Sequence, residues 1–135
     1  MKKTGILHPA LSALVSSMGH GDTLCIADAG LPVPPGVDRI DLAFAAGQPA
    51  FINVVDAVLT ELRVEGYTLA DEALKQCPEL VAHLRERMSG VEETRVPHEL
   101  LKEQTRHVRA VVRTGEFTPY ANVLLHSGVA FPVTA

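Results

Sequence analysis

The chain has 135 residues, of which 47% are apolar and 21% charged, so it can bury a core and form one domain over residues 1–135. Twelve Lys and Arg against sixteen Asp and Glu give a net charge of -4, which argues against a nucleic-acid partner, because phosphate contacts need a basic face. The two cysteines, Cys25 and Cys77, form no CxxC pair, which excludes a zinc ribbon and a thioredoxin-like site.

Helical and extended hydrophobic patterns alternate along the chain. Prolines at first turns and glycines after last turns delimit the helices, as between Pro9 and Gly19. Apolar runs too short for a helix, such as Leu24-Cys-Ile-Ala27, predict buried strands. The alternation indicates an α/β fold, a single layered domain with a mixed sheet flanked by helices. In chain order, the predicted elements are a helix over 9–18, a strand over 23–27, a proline loop over 29–36, a strand over 37–44, a helix over 49–62, a strand over 64–70, a helix over 78–88, an edge strand over 94–96, a helix over 99–107, a strand over 110–114 and an extended end over 121–131.

Neither end of the chain predicts a membrane segment. His8-Pro9 interrupts the apolar stretch that follows Met1-Lys-Lys3, whereas a signal peptide needs a continuous apolar region. The uncharged segment 117–135 contains prolines and several polar residues, so it cannot supply the about 20 apolar residues that a bilayer requires. We therefore expect a buried strand in that segment and a cytoplasmic protein with no membrane partner.

The common cofactor signatures are absent from the sequence. It has no GxGxxG, no GxxxxGK[ST] and no GxSxG motif, so it predicts no dinucleotide site, P-loop or nucleophile elbow. The run from His98 to Lys102 departs from a metalloprotease helix, because Lys102 stands where the second zinc-binding histidine belongs. The six histidines form no pair at helical or strand spacing, so we predict no metal and no cofactor.

Three segments place polar side chains where a ligand can bind. His20 stands between two glycines and can exchange a proton near neutral pH, although an exposed capping histidine is an equal alternative. Asp28 follows a strand, where polar residues line ligand crevices, but a turn aspartate fits equally well. Tyr120 and Asn122 share one face if extended and offer a sugar both hydrogen bonds and a flat apolar surface. Tyr120 as an ordinary core residue is the alternative there.

The segments resemble the D-ribose pyranase family, the ribose mutarotases of bacterial ribose-uptake systems. The proline loop and the Thr-Pro-Tyr-Ala-Asn run indicate the ribose branch rather than the related fucose mutarotases, and Gly21 and the short tail 132–135 are the main departures. The resemblance covers nearly the whole chain, because the first and last segments match as well. The matching segments are Met1-Lys-Lys3, Gly19-His-Gly-Asp22, Ile26-Ala-Asp-Ala-Gly-Leu-Pro-Val-Pro34, Arg113-Thr-Gly-Glu-Phe-Thr-Pro-Tyr-Ala-Asn122 and Gly128-Val-Ala-Phe131.

The resemblance implies an isomerase that interconverts the pyranose and furanose rings of free ribose without metal or nucleotide. It implies His20 as the general acid, and it implies a homo-oligomer, a decamer with pockets near subunit contacts. A functional link to a ribose transporter and a ribokinase is expected in the same way. The residues that the resemblance assigns to sugar binding are Asp28, His98, Lys102, Tyr120 and Asn122.

The predicted strand 23–27 constrains this site, because five extended residues span about 17 Å at ~3.3 Å per residue. His20 and Asp28 are therefore expected at opposite ends of one strand. Either the turn 19–22 folds back over the sheet, or a neighbouring subunit completes each pocket. The alternative functions are a mutarotase for another sugar such as fucose, a non-catalytic sugar-binding regulatory module and a metal-dependent isomerase.

Overall fold

Six strands form one sheet within residues 1–132, the part of the chain that the computed structural model describes. The last three residues of the uncharged segment, 133–135, lie outside the described residues. The strands are β1 (Thr23–Ala27), β2 (Asp38–Asp41), β3 (Val64–Ala70), β4 (Glu92–Val96), β5 (Ala110–Arg113) and β6 (Val123–Ser127). The helices are α1 (Pro9–Ser17), α2 (Phe51–Leu59), α3 (Ala73–Gln76), α4 (Pro78–Arg87) and α5 (His98–Gln104), with a 3-10 turn (Thr105–His107) after α5.

The sheet is mixed, as predicted. Its strand order is β2-β5-β1-β6-β3-β4, and β6 runs antiparallel to both of its neighbours while the other pairs are parallel. The five parallel strands therefore end at one edge of the sheet, which we call the carboxyl edge, and begin at the opposite amino edge. Since β6 runs the other way, it begins at the carboxyl edge and ends at the amino edge.

Two apolar clusters cover the two faces of the sheet, because alternate residues of each strand point to opposite sides. In β1, Leu24 and Ile26 join the first apolar cluster, whereas Cys25 and Ala27 join the second. Cys25 is buried and burial raises the pKa of its thiol, so it is a packing residue rather than a nucleophile. The first cluster includes Leu24, Ile26, Val55, Val58, Tyr67 and Leu84, and the second includes Cys25, Ala27, Val96, Leu101 and Val111.

Most predicted elements are present, but several boundaries were wrong. The strand expected over 37–44 ends at Asp41, because the Asp41 carboxylate accepts the Ala43 N–H and turns the chain. The helix expected over 49–62 is the shorter α2, and that over 99–107 begins at His98 and tightens into the 3-10 turn. The extended end predicted over 121–131 is a strand only over β6, and the short α3 was not predicted. None of the described helices is long and apolar enough to cross a membrane.

Candidate functional site

Four of the five predicted sugar-binding residues lie at the carboxyl edge. Asp28 directly follows β1, His98 begins α5 just after β4, and Tyr120 and Asn122 come just before β6. Because β6 is antiparallel, its first residues lie beside the last residues of β1, with Val123 opposite Ile26. The topology therefore brings together residues that are up to 94 positions apart in sequence.

Asp28 and Asn122 form a reciprocal pair of hydrogen bonds. The Asp28 N–H donates to Asn122 Oδ1 at 2.9 Å, and Asn122 Nδ2 donates to Asp28 Oδ2 at 3.1 Å. The other carboxylate oxygen of Asp28 accepts the Gly30 N–H at 2.9 Å, so the turn interpretation of Asp28 is also correct. Asn122 is 1% exposed, which means that this pair is held from inside the protein.

A cavity of about 380 Å³ opens beside Asp28, within the size range of small-molecule sites. Arg113 forms one wall, where its Nε donates to the Ala29 carbonyl at 2.9 Å and its Nη1 pairs with Asp41 at 3.1 Å. Glu116 holds another wall, because its carboxylate accepts the Phe51 N–H at 3.0 Å and the Thr118 hydroxyl at 2.8 Å. The cavity is lined by Asp28, Ala29, Gly30, Arg113 and residues 116–119.

His98 and Tyr120 pack against each other edge to face, with ring centroids 4.9 Å apart. The backbone N–H of His98 donates to the two Glu72 carboxylate oxygens at 3.1 and 3.2 Å, which fixes the first turn of α5. The ring atom Nδ1 of His98 is buried and has no hydrogen-bond partner among residues 1–132, which is unusual for a buried polar atom. Tyr120 has a φ of 65°, a left-handed conformation that bulky residues rarely adopt outside functional sites.

Lys102 lies one turn after His98 on α5 but faces a different cavity. Its Nζ is 2.8 Å from Glu99 Oε1, and this hydrogen bond holds the pKa of the Glu99 carboxyl below its usual range. The cavity, of about 320 Å³, runs along the proline loop at residues 32–35. A sugar contact by Lys102 therefore stays a prediction.

His20 lies at the amino edge, far along β1 from Asp28. Its Nε2 is 3.0 Å from Glu65 Oε2 and 3.1 Å from Oε1, and the two side chains are 60% and 50% exposed. The turn is held in place there, because the Gly21 N–H donates to the Ser127 carbonyl at 2.9 Å. Of the two alternatives, the one in which the turn folds back over the sheet is therefore not what this structure has.

Asp22 anchors the turn that carries His20. Its Oδ2 accepts the Gly19 N–H at 2.9 Å and pairs with Arg109 Nη1 at 2.9 Å. The Gly19 hydrogen bond, with the Arg109 contact, holds the pKa of the Asp22 carboxyl below its usual range. The turn thus presents His20 outward from the end of the sheet.

Sequence reasoning missed three carboxylates that hold the site residues. Glu65 contacts His20, Glu72 holds His98, and Glu116 fixes the segment before Tyr120. Glu116 lies inside the segment 113–122 that resembles the family, and this position could have identified it as a residue of the site. Glu65 and Glu72 are 45 and 26 positions from their partners, and no local pattern points to them.

Known proteins resemble this chain over almost its whole length. A protein named D-ribose pyranase from Geobacillus kaustophilus is 51% identical over 131 residues, which cover 97% of this chain and 96% of that protein. A D-ribose pyranase from Symbiobacterium thermophilum is 52% identical over 131 residues, covering 97% and 100%. The structure of Bacillus subtilis RbsD complexed with D-ribose matches with a TM-score of 0.93 at 44% identity, covering 97% of this chain and 100% of that one.

These matches extend through the segments that form the site. The model of the family described as RbsD / FucU transport protein family matches residues 1–130, which include both His20 and Asn122. The structural match confirms the α/β fold, and the relatives confirm the resemblance seen in the sequence. The chain belongs to the RbsD / FucU transport protein family.

Proposed function

We propose that the protein is a D-ribose pyranase, an isomerase that interconverts the pyranose and furanose forms of free ribose. The observation that carries the proposal is full-length similarity to D-ribose pyranases and to a ribose-bound relative, in a chain whose carboxyl edge gathers Asp28, His98, Tyr120 and Asn122. We further propose that residues 1–135 act as one domain, and that catalysis needs no metal or cofactor.

The site residues offer a sugar a matching set of contacts. The Asp28 carboxylate borders the cavity and can accept from a hydroxyl, and His98 Nδ1 is buried without a partner among the described residues. Tyr120 adds a phenol and an aromatic face, which suits the alternating polar and apolar surfaces of a pyranose. The cavity of about 380 Å³ is large enough for one monosaccharide, and of the proposed sugar-binding residues it is Asp28 that lines it.

The proposed reaction is acid–base chemistry at a hemiacetal. His20, as the imidazolium, donates a proton to the ring oxygen while a base takes the proton of the anomeric hydroxyl. The bond between C1 and the ring oxygen then breaks, which leaves an aldehyde and a new hydroxyl. A different hydroxyl attacks the aldehyde, the two proton transfers reverse, and the other ring forms with no net change of atoms or electrons. We assign the base role to Asp28 or His98.

Such catalysis is modest in scale. A positioned acid and base supply roughly 10²–10⁴-fold, or about 3–5 kcal/mol of barrier, which suffices because ribose rings already exchange slowly in water. Neither a covalent nucleophile nor a strongly activated group is needed. A positioned histidine and a carboxylate or second histidine can therefore supply the rate acceleration that the proposed reaction needs.

We propose that His20 of one subunit completes the pocket of its neighbour in a homo-oligomer, a decamer in the arrangement that the resemblance implies. The two halves of the site lie at opposite edges of the sheet, which supports sharing. Two large apolar side chains are also exposed, Phe117 at 72% in the lining of the pocket and Phe44 at 85%, as is typical of interaction surfaces. A cytoplasmic location and a link to a ribose transporter and ribokinase stay predictions.

The test is exchange between ribose ring forms, measured by saturation-transfer NMR on the full-length protein. We expect the wild type to accelerate exchange in the presence of EDTA and His20→Ala to lose this acceleration, because the proton donor is missing. His107→Ala is the control, since His107 is exposed on the 3-10 turn and should leave the rate unchanged.

Other outcomes identify the alternative functions. Saturable ribose binding by the wild type without faster exchange would indicate a sugar-binding regulatory module instead. Faster exchange of another aldose, such as L-fucose, than of ribose would redirect the substrate assignment. Loss of activity in EDTA would contradict metal independence, and full exchange by His20→Ala would remove His20 from the mechanism.

A further inference from the structure

Glu65 is the extra residue of a β-bulge in β3. Along the pairing of β3 with β6, Val64 lies opposite Ser127 and Gly66 lies opposite His126, so two steps in β3 match one step in β6. Bulges of this kind redirect a side chain and are frequent next to functional sites. This bulge lies at the amino edge, beside the turn that carries His20.

The bulge decides which way Glu65 points. Val64 and Tyr67 are three residues apart, yet both belong to the first apolar cluster, which strict alternation along a strand would not allow. Counted back from Tyr67 without the bulge, Glu65 would point into that cluster. The extra residue places Val64 there instead and leaves the Glu65 carboxylate exposed and in contact with His20.

Gly128 gives the Glu65 side chain its space. A Cβ on residue 128 would lie 3.0 Å from Glu65 Cβ, closer than side chains normally approach, so any larger residue would press on Glu65. The Gly128 N–H donates to the Arg63 carbonyl at 2.8 Å, which keeps the two segments together. Both the register of β3 and the residue after β6 thus favour one position for this carboxylate.

We infer that Glu65 is a positioning residue for His20 and that Nδ1 is the nitrogen of His20 that exchanges the proton with the sugar. An ionised carboxylate can only accept hydrogen bonds, so the contacts at 3.0 and 3.1 Å require the hydrogen on Nε2. With Nε2 engaged, only Nδ1 is left to face a substrate. The inference rests on the proposed function, because it assigns His20 the acid role.

This assignment determines the proton transfers at His20 during the reaction. Charged His20 gives its Nδ1 proton to the ring oxygen of ribose and becomes neutral, while Glu65 keeps the Nε2 hydrogen in place. When the new ring closes, Nδ1 takes the proton of the hydroxyl that attacks the aldehyde, the base returns its proton to the aldehyde oxygen, and the Glu65 carboxylate stabilises the charged imidazole. Glu65 stays ionised throughout and touches no substrate atom.

The kinetic test compares Glu65→Ala, Glu65→Gln and the control Glu92→Ala in the full-length protein. We expect Glu65→Ala to lower kcat by about ten- to hundredfold with KM for ribose nearly unchanged, because the acid is misplaced while the sugar pocket is intact. Glu65→Gln should retain more activity, since its amide oxygen still accepts the Nε2 hydrogen. Glu92 is an exposed carboxylate on the adjacent β4, paired with Gly66, and its loss should leave kcat unchanged.

The results separate this inference from the proposed function. A wild type that does not accelerate ribose exchange overturns the proposed function. An active wild type whose Glu65→Ala variant matches Glu92→Ala in kcat overturns the inference alone, as does a Glu65→Gln variant no better than Glu65→Ala.

A crystal structure of the ribose complex tests the geometry without any rate. We expect Nε2 of His20 on the Glu65 carboxylate and Nδ1 within hydrogen-bond distance of a sugar oxygen. Nε2 facing the sugar, or a Glu65 carboxylate out of reach of His20 in every copy, would contradict the inference whatever the activity.

Discussion

Asn122 shows how a single buried side chain can hold two segments of a site together. Its amide oxygen accepts the Asp28 N–H and its amide nitrogen donates to the Asp28 carboxylate, so both polar ends of the amide are used. Buried polar groups of this kind cost little while paired and much more when one partner is removed. The orientation of Asp28 toward the cavity therefore depends on Asn122.

We expect Asn122→Ala to lower the free energy of unfolding by about 1–3 kcal/mol, because the Asp28 N–H loses its acceptor at a site closed to water. Urea unfolding followed by circular dichroism measures this change. Asn53→Ala is the control, since Asn53 is exposed on α2 and its loss should alter stability by no more than about 0.5 kcal/mol. Equal stability of the two variants would show that the pair with Asp28 contributes little.

Among the carboxyl-edge residues, Asp28 is the one that a general rule locates from the sequence. Asp28 follows a strand that the apolar run 23–27 identifies, and residues after parallel strands gather at one edge. His98 was found only through the family resemblance, because alone it has the pattern of a helix-start histidine. The contact between His20 and Glu65 was out of reach, since it depends on a bulge that long-range pairing with β6 creates.

At the scale of elements, helix starts were more predictable than strand ends. Pro9 and Pro78 begin α1 and α4 as expected, because a proline suits the first helical turn, whereas α2 begins at Phe51, two residues after Pro49. The end of β2 depends instead on the turn made by the Asp41 carboxylate. The end of β6 depends on its neighbours, because residues beyond Ser127 no longer pair with β1 or β3.

His126 links the three central strands at the amino edge. Its Nδ1 lies 3.2 Å from Thr23 Oγ1 in β1, and its Nε2 lies 2.9 Å from Thr68 Oγ1 in β3. Burial lowers the pKa of His126 below the usual histidine value, although Glu65 and Glu92 act in the opposite direction. The folded protein therefore keeps this ring neutral more readily than the unfolded chain does.

This difference predicts a pH dependence of stability. As the pH falls through the ordinary histidine range, near about 6.5, the unfolded chain takes up a proton more readily than folded His126, so the free energy of unfolding decreases. We expect the Tm to fall between about pH 7.5 and about pH 5.5, and His126→Gln to show a smaller fall. Thermal unfolding at several pH values measures this.

A matched variant isolates the contribution of His126. His107 is exposed, so His107→Gln should keep the wild-type dependence of Tm on pH. If His126→Gln and His107→Gln have the same dependence as the wild type, His126 is not the group responsible.

At the scale of the whole molecule, the two halves of the proposed site lie at opposite edges of one rigid sheet. β6 spans the distance between them, because it begins beside Asn122 and ends at Ser127, whose carbonyl holds the turn of His20. No single chain can close this distance without losing the hydrogen bonds of β1 and β6. The proposal thus requires contacts between copies for activity as well as for assembly.

A mixing experiment tests this requirement. His20→Ala and His98→Ala each remove one half of the site, so each variant alone should be inactive in ribose exchange. Co-expressed with different tags and purified as mixed oligomers, they should recover about a quarter of wild-type activity, because about one pocket in four then combines an intact edge with an intact His20 from its neighbour. Activity no higher than that of the separate variants would contradict sharing.

Because the two halves of the proposed site lie at opposite ends of β6, the arrangement of copies determines how many pockets can be complete at once. Each molecule would contribute its His20 to one neighbour and receive the His20 of another. An open row of molecules therefore always leaves one incomplete pocket at one end and one unused His20 at the other. Only a two-fold pair or a closed circle satisfies every member. Dilution that dissociates such a ring should therefore inactivate pockets before any individual molecule unfolds.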